Sequence, residues 1–367
     1  MKYYLPTRWI SGPNAVVENA ELIAAFGSRC MLVTSGTAAR RCGALQDVIS
    51  VLESKNIVYT LYDSVRPNPS IASCVEGGRL ANAFGAQFIL GIGGGSPLDA
   101  AKIIAVSAAN PELDSKGLYS LNWENVPLPT VLVGTTAGTG SEVTPVAVIT
   151  NDEGMKKSFH SDLIYASLAF GDPRYTASMP LAVTASTGVD ALCHCVESYF
   201  AKTETVISRG FALQGIRMLL SPLRDVAAGL IPTAEQREIL YNGSILGGMA
   251  ISITGTIMPH NMGYYLTEHY GVPHGFACAA FHPALLHHAQ QADPACCKEF
   301  AREIGISLQE LSDLVASLVP DLGIRMTEEE IHSILPRWEN NKSIRNTIGE
   351  LTLEKVQAIL TEEFMKG

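Results

Sequence analysis

Residues 87–102 read QFILGIGGGSPLDAAK, an apolar strand pattern that passes through three consecutive glycines into a helix pattern. Glycine has no side chain to obstruct an anion, so the main-chain N–H groups of Gly93–Gly95 can approach a phosphate closely. The helix that follows presents its positive end to the same anion. A single glycine turn can also serve only to pack a strand against a helix, so this motif alone is weak support for a nucleotide site.

Short apolar and β-branched runs alternate with helix-length segments through the first half of the chain. The runs are residues 31–34, 57–62, 88–92 and 130–133. This alternation predicts a mostly parallel sheet covered by helices. From about Pro180 onward, long helical patterns are interrupted by Pro and Gly, with no convincing strand. We therefore predict a Rossmann-like α/β domain over residues 1–178 and an all-helical domain over residues 179–367.

A second loop rich in glycine and threonine follows the next predicted strand, where residues 134–142 read GTTAGTGSE. In a doubly wound sheet, the ligand lies where loops leave the carboxyl ends of the strands. The two loops can therefore line one crevice, and their hydroxyl and N–H groups suit a dinucleotide. Together they support a cofactor site much better than either loop does alone.

A metal site is indicated by Asp190 and His194, in the segment 188–194 that reads GVDALCH. Residues four apart on a helix share one face, and a carboxylate with an imidazole suits a divalent metal such as Fe(II) or Zn(II). The spacing does not select the remaining ligands. His260 and His274, fourteen residues apart in an apolar segment, are the first candidates. The competing histidines are His160, His269, His282, His287, His288 and His332.

The composition is typical of a compact enzyme. Hydrophobic residues make up 47% of the 367 residues and charged residues 17%, which argues against disorder. A net charge of −10 disfavours nucleic acid or an anionic membrane as a partner. The first residues lack the apolar core of a signal peptide, and no apolar run could span a bilayer, so we expect a cytoplasmic protein. The eight cysteines include no C-x-x-C pair and are interpreted as reduced thiols that mainly fill the core.

Four motifs, in this order, resemble those of the iron-dependent (group III) alcohol dehydrogenases. They are residues 93–102 (GGGSPLDAAK), 135–142 (TTAGTGSE), 188–197 (GVDALCHCVE) and 273–275 (PHG). The resemblance covers nearly the whole chain. It implies a dehydroquinate synthase-like fold, with a dinucleotide-binding α/β domain, an all-helical domain and an active site in the cleft between them. It also implies hydride transfer between a nicotinamide and a small aldehyde or its primary alcohol, with the metal polarising the carbonyl.

Carried over to this chain, the resemblance implies individual roles. It makes Asp190, His194, His260 and His274 the metal ligands, with Fe(II) expected and Zn(II) as the alternative. The cofactor-binding residues that it implies are Ser35, Asn68, Gly94, Gly95, Ser96, Asp99, Thr135, Thr136, Thr139 and Lys156, with the neighbouring Lys157 as the alternative to Lys156. It further implies an assembly that is at least a homodimer.

Two positions depart from the family's pattern. Members selective for NAD commonly carry an acidic residue just after the first strand, where this chain has Ser35, so NADPH is slightly favoured and NADH remains open. Tyr264 stands where many relatives have a histidine close to the substrate. We expect it to act as a catalytic hydrogen-bond donor, with a role in shaping the pocket alone as the alternative. With an ordinary pKa of about 10, tyrosine is a poorer proton relay than histidine, so ribose and water offer another route.

Other functions stay open at this point. Glycerol dehydrogenase-like and maleylacetate reductase-like enzymes have the same fold and differ in using zinc or no metal. A dehydroquinate synthase-like activity is disfavoured, because that substrate needs several cationic side chains and the region around His260 and His274 has few. A catalytically silent nucleotide-binding protein is the remaining alternative, and the four retained ligand positions argue against it.

Overall fold

The computed structural model describes residues 3–365. The strands are β1 (Arg8–Ser11), β2 (Arg29–Thr34), β3 (Val58–Tyr62), β4 (Phe88–Gly93), β5 (Thr130–Gly134), β6 (Val146–Thr150), β7 (Lys156–His160) and β8 (Leu168–Gly171). The helices among these strands are α1 (Ala15–Glu18), α2 (Ala20–Ala24), α3 (Ala38–Arg41), α4 (Ala44–Ser54), α5 (Ile71–Phe84), α6 (Gly95–Ala109) and α7 (Ser115–Tyr119).

The helices that follow the last strand are α8 (Leu181–Tyr199), α9 (Val206–Ala227), α10 (Ala234–Thr254), α11 (Met258–Tyr270), α12 (His274–Ala279), α13 (His282–Ala292), α14 (Pro294–Ile304), α15 (Leu308–Leu318), α16 (Glu328–Ile334), α17 (Lys342–Asn346) and α18 (Leu353–Phe364). Short 3₁₀ turns occupy Ser141–Val143, Asp162–Ile164, Pro173–Thr176 and Leu335–Trp338.

The first part of the chain is built on a six-stranded sheet in the order β1-β8-β5-β4-β2-β3, with every neighbouring pair parallel. Strands β6 and β7 form a separate antiparallel hairpin. Thr34 pairs with Ile92, and Gly93 pairs with Gly134, so β2, β4 and β5 end at the same edge of the sheet. This register brings the glycine-rich loops together, as the sequence predicted.

The second part is helical. Apart from an isolated bridge between Ala201 and Thr347, the structure shows no strand in residues 172–365. Helix α8 is buried almost all round in its second half, which is expected of a helix at the centre of a domain. Within residues 3–365, no helix has both the length and the apolar character that crossing a bilayer requires. The predicted α/β plus all-helical architecture is confirmed, and the boundary after residue 178 stays a prediction.

A buried lysine joins the first glycine loop to the second. Lys102 lies on α6, one of the helices beside the sheet, and is 0% exposed. Its ammonium group donates to the carbonyl oxygens of Ser141 at 2.7 Å, Thr144 at 3.1 Å and Val146 at 2.7 Å. A buried ammonium group is tolerated only when its donors are paired in this way. Burial lowers the pKa of Lys102 to about 8, so it is mostly protonated at neutral pH.

Replacing Lys102 should therefore destabilise the fold. Lys102→Met retains the length of the side chain but leaves three carbonyl groups without their charged donor, and we expect a loss of about 3 kcal/mol or more in the free energy of unfolding. Chemical denaturation monitored by circular dichroism measures this loss. Lys116→Met, at an exposed position on α7, is the matched control and should change little. Equal free energies of unfolding for the two variants would show that the buried ammonium group does not stabilise the fold.

Candidate metal centre and nucleotide crevice

Three helices bring the four predicted metal ligands together. Asp190 and His194 lie one turn apart on α8, while His260 lies in the first turn of α11 and His274 is the first residue of α12. The Oδ1 atom of Asp190 lies 3.3 Å from Nε2 of His260. The same oxygen lies 4.0 Å from Nε2 of His194 and 4.0 Å from Nε2 of His274. Asp190 is therefore the common neighbour of all three imidazoles.

Glycines allow these helices to approach. A Cβ atom on Gly275, next to His274, would lie 1.9 Å from the carbonyl oxygen of Ser186 on α8. A Cβ atom on Gly263 of α11 would lie 2.8 Å from the backbone of Ala277 on α12. Neither position has room for a side chain, so the close approach of the three backbones depends on glycine.

The cluster fits a divalent metal ion. Asp190 Oδ1 and His260 Nε2 are both buried and have no hydrogen-bond partner among the described residues. Leaving two buried polar atoms unsatisfied is costly, and a cation bonded to both would satisfy them. One carboxylate and three imidazoles suit Fe(II) or Zn(II). These residues would therefore hold the metal that the sequence predicts.

The ionisation states of Asp190, His194 and His274 suit a metal. Burial raises the pKa of Asp190, but the attraction of His194 and His260 outweighs it and holds the pKa below its usual range. Burial lowers the pKa of His194 to about 4 and that of His274 well below its usual value. The carboxylate is therefore ionised at neutral pH, and both imidazoles are neutral and have free lone pairs. Burial lowers the pKa of His260 as well, but Cys278 and Glu197 outweigh it and raise the pKa well above its usual value, so a metal would displace a proton there.

Glu197 holds His260 in place. This fully buried carboxylate lies on α8, two turns after Asp190, and accepts a hydrogen bond from His260 Nδ1 at 2.5 Å. It also accepts from Nε2 of His282 at 3.2 Å and from the backbone N–H of Ile257 at 2.9 Å. With Nδ1 bonded to Glu197, His260 turns Nε2 towards Oδ1 of Asp190, where a metal would take the place of the Nε2 proton. Sequence reasoning missed Glu197, although a carboxylate seven residues after Asp190 lies on the same helix face.

The competing histidines lie elsewhere. His282 bonds to Glu197, His288 to the carbonyl oxygen of Ile348 at 2.9 Å, and His287 to the side chain of Gln291 at 2.7 Å. Among the described residues, the tightest group of metal-binding donors consists of Asp190, His260, His274 and Cys278, so it includes none of these competitors. It does not include His194 either, whose Nε2 lies 4.0 Å from Asp190 Oδ1.

A thiol belongs to the same group of donors. Cys278 lies on α12, one turn after His274, and burial raises the pKa of its thiol to about 11. All eight cysteines are free, as predicted. The interpretation of the cysteines as core filling is incomplete at Cys278, because its sulfur lies among metal-binding groups. A cysteine four residues after a ligand histidine was the signal that sequence reasoning passed over.

The two glycine-rich loops form one wall at the edge of the sheet. The N–H of Thr135 donates to the carbonyl oxygen of Gly93 at 2.9 Å. A Cβ atom on Gly94 would lie 3.0 Å from Thr136, and one on Gly95 would lie 2.8 Å from Thr139. The absence of side chains at Gly94 and Gly95 therefore lets the threonine loop lie directly against the N-terminus of α6, where an anion is stabilised.

The other predicted cofactor residues lie along the same edge. Asn68 has a φ angle of 54°, and its N–H donates to Ser96 Oγ at 3.3 Å, which places its loop beside the glycine loop. Ser35 follows β2 directly and forms a bridge with Ser64. Asp99 differs, because its two carboxylate oxygens accept from Ser141 Oγ at 2.6 Å and from the N–H of Val148 at 2.8 Å. Its carboxylate supports the second loop, and its contact with a cofactor stays a prediction.

Tyr264 and Lys156 lie between the crevice and the metal cluster. The Tyr264 ring stacks on His274 at a centroid distance of 5.7 Å, and the ammonium group of Lys156 lies 5.3 Å from the centre of the Tyr264 ring. Burial raises the pKa of Tyr264 to about 12 and lowers that of Lys156. Tyr264 thus keeps its proton at neutral pH and can donate a hydrogen bond.

The second loop also contacts α8, which carries Asp190 and His194, and the neighbouring helix α10. A Cβ atom on Gly138 would lie 2.7 Å from Thr187 of α8, and one on Gly140 would lie 2.6 Å from Gly248 of α10. The loop beside the glycine turn is therefore packed directly against the helix that carries Asp190 and His194. A sheet edge suited to a dinucleotide, placed next to a cluster suited to a metal, is typical of an enzyme that uses both.

Comparison with known proteins identifies the family. Residues 6–173 match the family model "Iron-containing alcohol dehydrogenase", and residues 184–363 match "Fe-containing alcohol dehydrogenase family, C-terminal". The chain belongs to the iron-containing alcohol dehydrogenase family. The predicted resemblance is thereby confirmed, together with the oxidoreductase class.

Individual relatives agree with this assignment. The chain is 33% identical over 321 residues to 1,3-propanediol dehydrogenase of Klebsiella pneumoniae, covering 86% of this chain and 82% of the relative. An iron-containing alcohol dehydrogenase from Thermotoga maritima superimposes with a TM-score of 0.90 and 31% identity over 99% of both chains. A sulfoacetaldehyde reductase from Bifidobacterium kashiwanohense in complex with NAD+ superimposes with a TM-score of 0.87 and 26% identity, covering 100% of this chain and 99% of the other.

The role of Glu197 in supporting His260 can be tested through metal affinity. Glu197→Gln keeps the size of the side chain but replaces a charged acceptor with a neutral amide, so His260 is no longer held as firmly. We expect metal affinity to fall about 10–100-fold, the usual effect of losing a group behind a ligand. Titration of metal-free protein with Fe(II) or Zn(II) measures this change.

The matched control for this experiment is Glu238→Gln, at an exposed position on α10. It should leave metal affinity unchanged. If Glu197→Gln binds metal as tightly as the parent while both proteins are folded, Glu197 does not orient a ligand.

Proposed function

We propose that this chain is an NAD(P)H-linked oxidoreductase that interconverts small aldehydes and their primary alcohols with Fe(II) at Asp190, His194, His260 and His274. The observation that carries the proposal is the unpartnered pair of Asp190 Oδ1 and His260 Nε2, buried beside a crevice suited to a dinucleotide. When both groups are bound, the metal polarises the carbonyl group and the reduced nicotinamide supplies the hydride. A maleylacetate reductase-like enzyme needs no such donor set, so the geometry favours the metal-dependent reaction.

The residues of the crevice bind and orient the cofactor. The N–H groups at the start of α6, around Gly94 and Ser96, hold the pyrophosphate, and Thr136 and Thr139 line the same wall. Lys102 and Asp99 keep that wall in position from behind. On the metal side, Glu197 holds His260, while His274 is the most accessible ligand, with 28% of its side chain exposed. The substrate therefore approaches from the side of His274 and Tyr264.

Aldehyde reduction also needs a proton at the product oxygen. Tyr264 donates a hydrogen bond at this position because burial keeps its pKa high, at about 12. Lys156 stands next to the ring with a pKa that burial lowers, so its ammonium group releases a proton more readily than an exposed lysine. We assign Lys156 and Tyr264 to proton delivery in place of the imidazole that many relatives carry.

The residues at the end of β2 bear on the preference between NADPH and NADH. Ser35 presents no carboxylate to a 2′-phosphate, and the nearby Asp63 lies 3.5 Å from Arg40, which offsets its charge. NADPH is therefore favoured, and NADH is also accepted.

We extend to this chain the small aldehydes and alcohols that the names of its relatives indicate, and we propose a cytoplasmic enzyme that is at least a homodimer. An anaerobic panel of short aldehydes with NADH and NADPH tests the activity directly.

His274 provides the first test of the mechanism. His274→Ala should abolish aldehyde reduction and leave nucleotide binding nearly intact, because the loops that hold the cofactor do not depend on this side chain. Steady-state kinetics after iron loading and fluorescence titration with NADPH measure the two effects. His287→Ala, at an exposed position on α13, is the control and should remain active. Activity of His274→Ala equal to the parent after metal removal and iron reloading would contradict the ligand assignment.

Ser35 tests the preference between the two cofactors. Ser35→Asp should shift the ratio of kcat/KM values towards NADH by about tenfold or more, because repulsion of about 1–4 kcal/mol acts between two charges 4 Å apart near a protein surface. Ser50→Asp, at an exposed position on α4, adds the same charge away from the crevice and should leave the ratio unchanged. The same ratio in Ser35→Asp as in the parent would place the ribose elsewhere.

A further inference from the structure

Cys278 lies within reach of the proposed metal ion. Its sulfur, a carboxylate oxygen of Asp190, and ring nitrogens of His260 and His274 all lie within 4.8 Å of one another. Donors that share one zinc ion through bonds of about 2.0–2.3 Å lie less than about 4.6 Å apart. Small side-chain adjustments therefore suffice for all four atoms to bind one ion.

The position of the sulfur follows from the helix. Cys278 comes four residues after His274 on α12, so both side chains leave the same face. The sulfur lies 3.5 Å from Nδ1 and 3.8 Å from Nε2 of His274, and the cysteine is 0% exposed. The close contact between Gly263 of α11 and the backbone of α12 keeps this thiol on the inner side of the cluster.

The neighbours of the thiol lack a partner of their own. Asp190 and His260 are each 2% exposed, and Asp190 Oδ1 and His260 Nε2 have no hydrogen bond among the described residues. His194 completes one set of four ligands with them and His274. Cys278 completes a second set, in which the sulfur takes the place of His194. The two sets share three ligands. The fourth donor is an imidazole nitrogen in the first set and the softer sulfur atom in the second.

We propose that Cys278, Asp190, His260 and His274 form an alternative site for Zn(II), which competes with Fe(II) held by Asp190 and the three histidines. This inference rests on the proposed function, since it uses the same metal centre. Zinc is a softer ion than Fe(II) and is commonly bound by thiolate, which makes Cys278 a selective donor for it. On coordination a zinc–sulfur bond forms, the thiol proton leaves to solvent, and no electron is transferred.

The alternative site has a consequence for activity. Zinc prefers four ligands in a tetrahedral arrangement, and sites in which the protein supplies all four are closed to substrate. The set with Cys278 supplies all four donors. Zinc bound in this way therefore inhibits the enzyme, whereas iron bound by the histidines keeps open positions because it accepts more than four ligands.

Cobalt spectroscopy tests the coordination directly. Metal-free protein is titrated anaerobically with Co(II), which reports its geometry through visible d–d bands and reports a bound thiolate through a sulfur-to-cobalt charge-transfer band in the near ultraviolet. The parent should show both sets of bands. Cys278→Ser and Cys278→Ala should keep the d–d bands and lose the charge-transfer band. Cys193→Ala, which removes a buried thiol next to His194 on α8, is the matched control and should keep both.

The outcomes separate this inference from the proposed function. If no d–d bands appear in any folded protein, the metal centre itself is absent. If d–d bands appear but the parent has no charge-transfer band, or Cys278→Ser retains it, the metal centre stands and the thiol is not a ligand. A misfolded variant could also lose the charge-transfer band. Two different substitutions at Cys278 are therefore compared, and circular dichroism confirms that each variant is folded.

Competition between metals provides the second readout. Parallel titrations with Zn(II) and Fe(II) give the ratio of the zinc affinity to the iron affinity. Cys278→Ser should lower this ratio by about tenfold or more, because removing even a residue that only supports a metal ligand changes metal affinity by about that factor. Added Zn(II) should inhibit the iron-loaded parent and Cys193→Ala, and inhibit Cys278→Ser much less. The same zinc preference and the same inhibition in the parent and Cys278→Ser would overturn the proposal.

Discussion

The unsatisfied contact between Asp190 and His260 is the constraint on which the site depends. Glu197 accepts a hydrogen bond from Nδ1 of His260, and Nε2 of the same ring faces Oδ1 of Asp190 at 3.3 Å. Burial lowers the pKa of His260, but Cys278 and Glu197 outweigh it and raise the pKa well above its usual value, so this contact holds a positive charge. A divalent cation bonded to both atoms would supply that charge in place of the Nε2 proton. Helix α8 supplies both Asp190 and Glu197 from one face, so a single helix prepares the ligand and its support.

The second constraint is the path of the loop after β5. It must satisfy the ammonium group of Lys102, leave room for the N-terminus of α6, and contact α8 and α10. Gly138 and Gly140 make this path sterically feasible, because no side chain fits against Thr187 or Gly248. The same loop therefore connects the glycine turn at the sheet edge with the helix that carries Asp190 and His194.

Local signals predicted the parts of this arrangement that depend on neighbouring residues. The strand and glycines of residues 88–95 and the one-turn spacing of Asp190 and His194 are such cases. Strands β1, β6, β7 and β8 were not predicted. They are only four or five residues long, which leaves too few positions for a strand pattern to stand out. His260 and His274 could not be separated from His282 by spacing alone, because the contact of α11 with α12 decides which imidazoles face Asp190. Glu197 and Cys278 were missed for the same reason, since their roles depend on partners from other helices.

The replacement of the usual histidine by Tyr264 changes what this cleft can do with protons. An imidazole near neutral pKa both takes up and releases a proton, whereas a buried tyrosine with a pKa of about 12 only donates a hydrogen bond. The remaining ionisable group beside Tyr264 is Lys156, and burial moves its pKa downwards, towards neutral pH. Stacking on Tyr264 also limits the rotation of His274, the most exposed ligand. In the proposed mechanism, two residues therefore share the tasks that one histidine has in many relatives: Tyr264 would donate a hydrogen bond that orients the substrate, and Lys156 would supply the proton.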